Sequence, residues 1–317
     1  MRILVFLLIL VSGFAAAQTY PTKAVRILVP AQPGGGLDLV GRTMGDQLGR
    51  ALGQSFIIEN SGGGGGSIAA MTVARAAPDG YTLMVGYVGT HATNPATRKV
   101  NYDAVRDFTP IGMVGGTPNL IVVQPAVPVQ DLKGLVERAR ANPGKLTYGS
   151  GGIGTLNHLI WEQFRAAAGI EAVTVHYRGI GPAFTDLLGG QVEVMTPGLA
   201  AALPHLRTKK VKALAITGAT RHPLVPEVPT FEESGYKGFD GIQWYGIVGP
   251  AKMPEPVVRR LNEEINKALA SPALRERLSG EAIDPMPMSP AEFGRFIQSE
   301  IARWSKLAAE RNIRLEE

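Results

Sequence analysis

Residues Val25–Arg42 read VRILVPAQPGGGLDLVGR. The apolar run Val25–Val29 has the length and β-branched content of a buried strand. Pro30–Gly36, with two prolines and three glycines, cannot continue it and makes a loop. From Asp38 the spacing changes, with Val40, Met44 and Leu48 at helical intervals. The first N–H groups of such a helix have no intrahelical carbonyl to bond. Presented from a glycine loop, at the positive end of the helix dipole, they attract an anion.

The same strand–loop–helix unit recurs. Ser55–Glu59 and Tyr81–Gly86 read as strands around a helix of small residues, Ser67–Ala76. Leu146–Gly149, Ala172–His176 and Val192–Met195 alternate with helices at Thr155–Ala168, Pro182–Leu188 and Ala200–Leu206. This is the rhythm of an open, largely parallel α/β sheet. It breaks where the strands Ile111–Val114 and Leu120–Val123 follow each other closely. It breaks again at Ile242–Val248, after which a helical tail carries Pro254, Pro272 and Pro290 at its helix starts. The breaks predict two α/β domains: a discontinuous one, about Thr22–Asn119 plus Tyr245–Glu317, and one inserted within it, about Leu120–Trp244. A cleft between such lobes is where strand C-termini converge.

The N-terminus predicts export. Arg2, the apolar stretch Ile3–Val11 and the small residues Ala15–Ala17 have the order of a secretory signal peptide, residues 1–17. The chain has no cysteine, so an exported form would be held by its core alone. Of its 317 residues, 45% are hydrophobic and 19% charged, the balance of a globular protein. The net charge of +5 is spread thinly, with Lys209–Lys210 its densest run, which argues against nucleic acid as a partner.

Four strand-to-helix loops should face one cleft: Pro30–Asp38, Tyr87–Asn94, Ser150–Asn157 and Tyr177–Pro182. A micromolar ligand needs about 8 kcal/mol of binding free energy. Hydrogen bonds to a charged group contribute roughly 1.5–3 kcal/mol each, so two carboxylates held by loop donors would suffice without an arginine clamp. Asp38 reads either as an N-cap or as a ligand residue, and Thr155 has the same two readings. Gly62–Gly66 reads as a flexible loop over the cleft. Trp244 stacks on a ligand at the hinge or packs in the core; Trp161 and Trp304 read as packing. Enzyme fingerprints fail. Leu39 stands where a dinucleotide-binding glycine would be, Gly66-Ser67 lacks the lysine of a P-loop, and Tyr148 replaces the first glycine of a nucleophile elbow. The five histidines show no metal-ligand spacing.

At a larger scale the chain resembles the tripartite tricarboxylate transporter receptors, also called Bug receptors, which are periplasmic solute-binding proteins of Gram-negative bacteria. The resemblance is carried by YPTKAVRILVPAQPGGGLD, VARAAPDGYTLMVG, GTHATNP, DFTPIGMV, NPGKLTYGSGGIGTLNHL, VHYRGIGPAFTDLLGGQVEVM and VPEVPTFEESGY. It implies a periplasmic-binding-protein fold, a flytrap that closes on a small carboxylate and delivers it to inner-membrane permease subunits. Alternatively the closed form acts on a membrane signalling partner. With the enzyme fingerprints and metal spacings absent from the sequence, we expect no enzyme activity, no cofactor and no metal, and a monomer. The implied ligand contacts are Gly35, Gly36, Leu37 and Asp38, with Thr90 and His91 nearby. From the second domain they are Ser150, Thr155, Leu156 and Asn157, with Gly179 and Ile180; the residue reading adds Trp244 at the hinge. Three positions depart from the family pattern. Leu37 replaces a small polar residue, Leu156-Asn157-His158 replaces a Thr-Ser-His start, and Thr196-Pro197-Gly198 stands where an Asp-Asn pair is common. Without that acid an α-ammonium group lacks a partner, which favours an apolar carboxylate or a dicarboxylate over glutamate or aspartate.

Overall fold

The computed structural model describes residues 20–315; the signal peptide read at 1–17 lies outside the described residues. The chain opens with β1 (Val25–Val29), α1 (Gly36–Leu52), β2 (Phe56–Asn60), α2 (Ser67–Ala74), β3 (Thr82–Tyr87), α3 (Asn94–Thr97) and β4 (Phe108–Pro118). It continues with β5 (Leu120–Val123), α4 (Leu132–Ala141), β6 (Thr147–Ser150), α5 (Leu156–Ala168), β7 (Val173–His176), α6 (Ile180–Leu188), β8 (Val194–Met195), α7 (Leu199–Arg207) and β9 (Lys212–Ile216). It returns through β10 (Ile242–Pro250), α8 (Glu255–Ala270), α9 (Pro272–Gly280), β11 (Asp284–Pro285) and α10 (Pro290–Glu310).

Two sheets result, one per lobe. The first has the order β11, β4, β10, β3, β1, β2 and the second β7, β6, β8, β5, β9. Ile27, Leu28 and Val29 of β1 are buried together, as a central strand covered on both faces requires. Helix α1 lays Val40, Met44 and Leu48 on this sheet.

Neither sheet is largely parallel, which corrects the sequence expectation. β1, β2 and β3 run parallel, but β10 pairs antiparallel with both β3 and β4. In the second sheet β6 is parallel to β7 and β8, while β5 is antiparallel to β8 and β9. Periodicity registers burial, not strand direction, so the difference was invisible in the pattern.

The chain passes from the first sheet to the second at Asn119. It returns ahead of Ile242, which already pairs with Pro118 in the first sheet, rather than at Trp244–Tyr245. The crossings are tied together: Thr217 Oγ1 donates to the Gly241 carbonyl (2.8 Å) and accepts from the Asn119 N–H (2.8 Å). Among the described residues no helix is long and apolar enough to cross a membrane.

Candidate ligand-binding site

In the first lobe the site begins where β1 ends. Gly35 is the N-cap of α1 and offers no side chain to the helix start. Asp38 is not the N-cap that one reading of its sequence position suggested. It lies inside the first turn and is 5% exposed. One carboxylate oxygen accepts from the Gly34 N–H (3.0 Å) and Arg42 Nε (3.0 Å), the other from Asn60 Nδ2 (3.0 Å). The hydrogen bond from Arg42 is the main reason its pKa lies below the usual carboxylate value. Asp38 therefore folds the loop back on itself and holds it against β2. The N–H groups of Gly35, Gly36 and Leu37 have no hydrogen-bond partner among the described residues. Unpaired N–H groups at a helix start are suited to an anion, and the ionised Asp38 beside them is already paired with Arg42.

Side-chain alternation on β10 decides what flanks this helix start. Trp244 turns toward α10, where it is fully buried, edge-on to Phe293 and Phe296, with Nε1 donating to Glu300 (3.1 Å). It packs as core, which corrects its expected place against a ligand. Tyr245 turns the other way. It stands directly opposite Tyr87 on β3, at the C-terminal edge of the parallel strands. Its hydroxyl lies against the first residue of α1, 2.8 Å from where a Cβ on Gly36 would stand. Burial, with a further contribution from Tyr87, raises its pKa, so the phenol stays protonated.

The stretch expected as a loop at Tyr87–Asn94 is mostly helical. A π-turn at Gly89–Thr93 runs into α3. That turn carries His91 into the core, edge-on to Phe108, with Nδ1 2.8 Å from Thr90 Oγ1. Burial pushes the His91 pKa down to about 3. His91 and the fully buried Thr90 support the site from behind rather than line it. The glycine run is not free either: the Gly65 carbonyl accepts from Tyr87 Oη (3.0 Å) and Asn94 Nδ2 (2.8 Å).

In the second lobe β6 ends at Ser150. Its Oγ donates to the Gly152 carbonyl (3.0 Å) and accepts from the Gly152 N–H (3.1 Å). Ser150 is fully buried, so its hydroxyl shapes the loop. Thr155 is the N-cap of α5, but its single hydroxyl hydrogen is shared between the Gly152 carbonyl (2.7 Å) and Asn157 Oδ1, and the hydroxyl caps no N–H group. Leu156 packs in the core. Asn157 Oδ1 accepts from the His158 N–H (2.9 Å), which leaves Nδ2 beside the loop. Gly179 is the N-cap of α6, whose first residue is Ile180. A Cβ on Gly151 would stand 2.9 Å from Asn157 Nδ2 and 3.4 Å from the Ile180 nitrogen, so the starts of α5 and α6 meet there. Beneath them Thr196 bonds Tyr148 and the Asn157 carbonyl (2.5 Å each). This neutral, buried residue occupies the position where the resemblance led us to look for an acid. His158 accepts from the Gly154 N–H at Nδ1 (3.2 Å), and burial pushes its pKa down to about 4, with His176 adding to the effect.

The two groups of loops meet. Arg98, just beyond α3, donates to the Ile153 carbonyl across the lobes (3.1 Å), and a Cβ on Gly154 would overlap Thr97. A chain of contacts thus runs from Gly36 through Tyr245, Tyr87 and Gly65 to Asn94, Arg98 and the Ile153–Thr155 turn. Tyr245 and Arg98 were not singled out as site residues in the sequence. The alternation Trp244–Tyr245 on an apolar strand was the signal that could have found the first.

No group of three or more His, Asp or Glu residues suited to a metal is present among the described residues. The arrangement offers helix N-termini and neutral side-chain donors from both lobes, which suits binding an anion rather than transforming one.

Comparison with known proteins agrees in family and in fold. The family described as "Tripartite tricarboxylate transporter family receptor" matches residues 40–313. A UPF0065 protein from the tcbD-tcbE intergenic region of Pseudomonas sp. (strain P51) is 36% identical, covering 92% of this chain and 87% of that protein. The structure of R. palustris Rpa4515 with adipate is similar with a TM-score of 0.87 and 35% identity, covering 93% and 99% of the two chains. MatC (Rpa3494) from Rhodopseudomonas palustris with bound malate gives 0.81 and 34%, covering 91% and 99%. With its two-sheet architecture and a match across most of its length, the chain belongs to the tripartite tricarboxylate transporter receptor family.

Proposed function

We propose that this protein is a periplasmic receptor that closes on a small dicarboxylate and delivers it, as a monomer, to the membrane subunits of a tripartite transporter. The observation that carries this reading is the unpaired start of α1 on one lobe and the starts of α5 and α6 on the other, joined through Arg98 and Ile153. Each helix N-terminus favours negative charge by about 0.3–1 kcal/mol, and up to about 2 kcal/mol when partly buried. Direct hydrogen bonds add to that. The structures with adipate and malate support a diacid. The buried, hydrogen-bonded Thr196 supports an acid without an amino group, since no carboxylate stands there to meet an ammonium. The N-terminal signature at 1–17 supports export with cleavage after Ala17.

Titration calorimetry with adipate, malate, aspartate and glutamate tests the reading. We expect the non-amino diacids to bind and the amino acids to bind at least tenfold more weakly. Tight aspartate binding with no response to adipate or malate would overturn it.

A further inference from the structure

Tyr245 carries a polar group that the fold leaves without a partner. The residue is only 4% exposed, so its ring is enclosed, but the hydroxyl at its tip is not sealed off: it makes no hydrogen bond to the described residues and stays accessible beside the start of α1. A tyrosine this enclosed usually has its hydroxyl bonded within the protein. Tyr87, the residue directly opposite, shows the contrast: its hydroxyl is taken by the Gly65 carbonyl. The Tyr245 hydroxyl is instead directed at the first turn of α1, a helix of 17 residues, where Gly36 leaves it room. Two independent features therefore lie side by side: the unpaired N–H groups of Gly35, Gly36 and Leu37, and a phenol with a hydrogen to donate.

We propose that Tyr245 is a specificity-determining ligand contact, its hydroxyl and the first N–H groups of α1 together holding one carboxylate of the bound acid. The phenol donates to one carboxylate oxygen while the backbone N–H groups hold the other. Gly36 is glycine because any side chain there would displace the hydroxyl. The inference rests on the carboxylate-receptor reading above and assigns one end of the ligand to the first lobe.

Tyr245→Phe and Gly36→Ala are compared with the wild type by calorimetry against adipate and malate, and by thermal unfolding without ligand. A hydrogen bond to a charged group predicts a Kd for Tyr245→Phe raised tenfold or more. Because the hydroxyl bonds nothing within the protein, the ligand-free melting temperature should stay within about 1 °C of wild type, whereas a structural role would lower it. Gly36→Ala keeps the phenol but crowds it, and should weaken binding similarly. Binding by Tyr245→Phe within twofold of wild type, or a loss traced to a lower melting temperature, would overturn the inference while leaving the receptor reading intact. Failure of the wild type to bind either diacid would overturn the reading and the inference with it.

Discussion

His91 shows how a polar residue in a motif can serve the fold instead of the ligand. Its ring is enclosed, Nδ1 is beside Thr90 Oγ1, and Nε2 has no partner among the described residues. In such a place the charged form has lost its water, which is why burial pushes the pKa down to about 3 from the ordinary 6.5. Since the folded pKa lies below the unfolded one, folding requires the neutral ring. The associated stability is fully present above pH 6.5 and is lost progressively as pH falls toward 3. Each tenfold difference in proton affinity corresponds to about 1.4 kcal/mol, so a few kcal/mol are at stake. His158, held at about 4, acts in the same direction. We expect stability from denaturant titration to fall between pH 6.5 and 4, and His91→Phe to reduce that fall. An identical pH profile in the variant would show that His91 is not the group responsible.

At the scale of the element, the start of α1 is held in shape by one carboxylate. Removing it in Asp38→Ala takes an acceptor from the Gly34 N–H, Asn60 and Arg42. Arg42 and Gly34 regain water, Asn60 Nδ2 keeps the Ala31 carbonyl and Arg42 Nη2 keeps Asn60 Oδ1. Loss of the charged hydrogen bonds, softened by these partners, predicts destabilisation of about 2 kcal/mol, read from denaturant midpoints. A change under 1 kcal/mol would mean that the loop holds its shape without Asp38. The role was not legible in the sequence because Asn60 is 22 residues away and arrives only through the parallel pairing of β1 with β2. What was legible is local. The strand Val25–Val29, the helical spacing of Val40, Met44 and Leu48, and the glycines at the helix starts depend on neighbours within a turn or two. Tyr245 lies between these cases. Its strand was readable from the apolar run, but the face it presents depends on pairing with Tyr87, a partner that no local window contains.

Across the whole molecule, the proposed receptor function couples binding to the meeting of two lobes, whose crossings are tied together at Asn119, Thr217 and Gly241. A ligand favours the closed arrangement only by the contacts it makes there and nowhere else. Arg98 adds to that arrangement without needing the ligand, because its guanidinium donates to Ile153 across the lobes. Arg98→Met therefore lowers the closed fraction of the free protein, and apparent affinity falls by the same factor. If the bond is worth about 1.5 kcal/mol, near the lower end for a charged donor, the Kd rises about tenfold. Gly154→Ala should act more severely, since its Cβ would collide with Thr97 and its φ of +73° disfavours any side chain. Small-angle scattering separates this cause from loss of a ligand contact. Both variants should show a larger radius of gyration than wild type when free, and should need more adipate to reach the compact form. Tyr245→Phe, which touches no cross-lobe contact, should scatter like wild type when free while binding more weakly. Free forms of Arg98→Met and Gly154→Ala with wild-type dimensions and wild-type affinity would mean that the contact between Arg98 and Ile153 follows closure without favouring it.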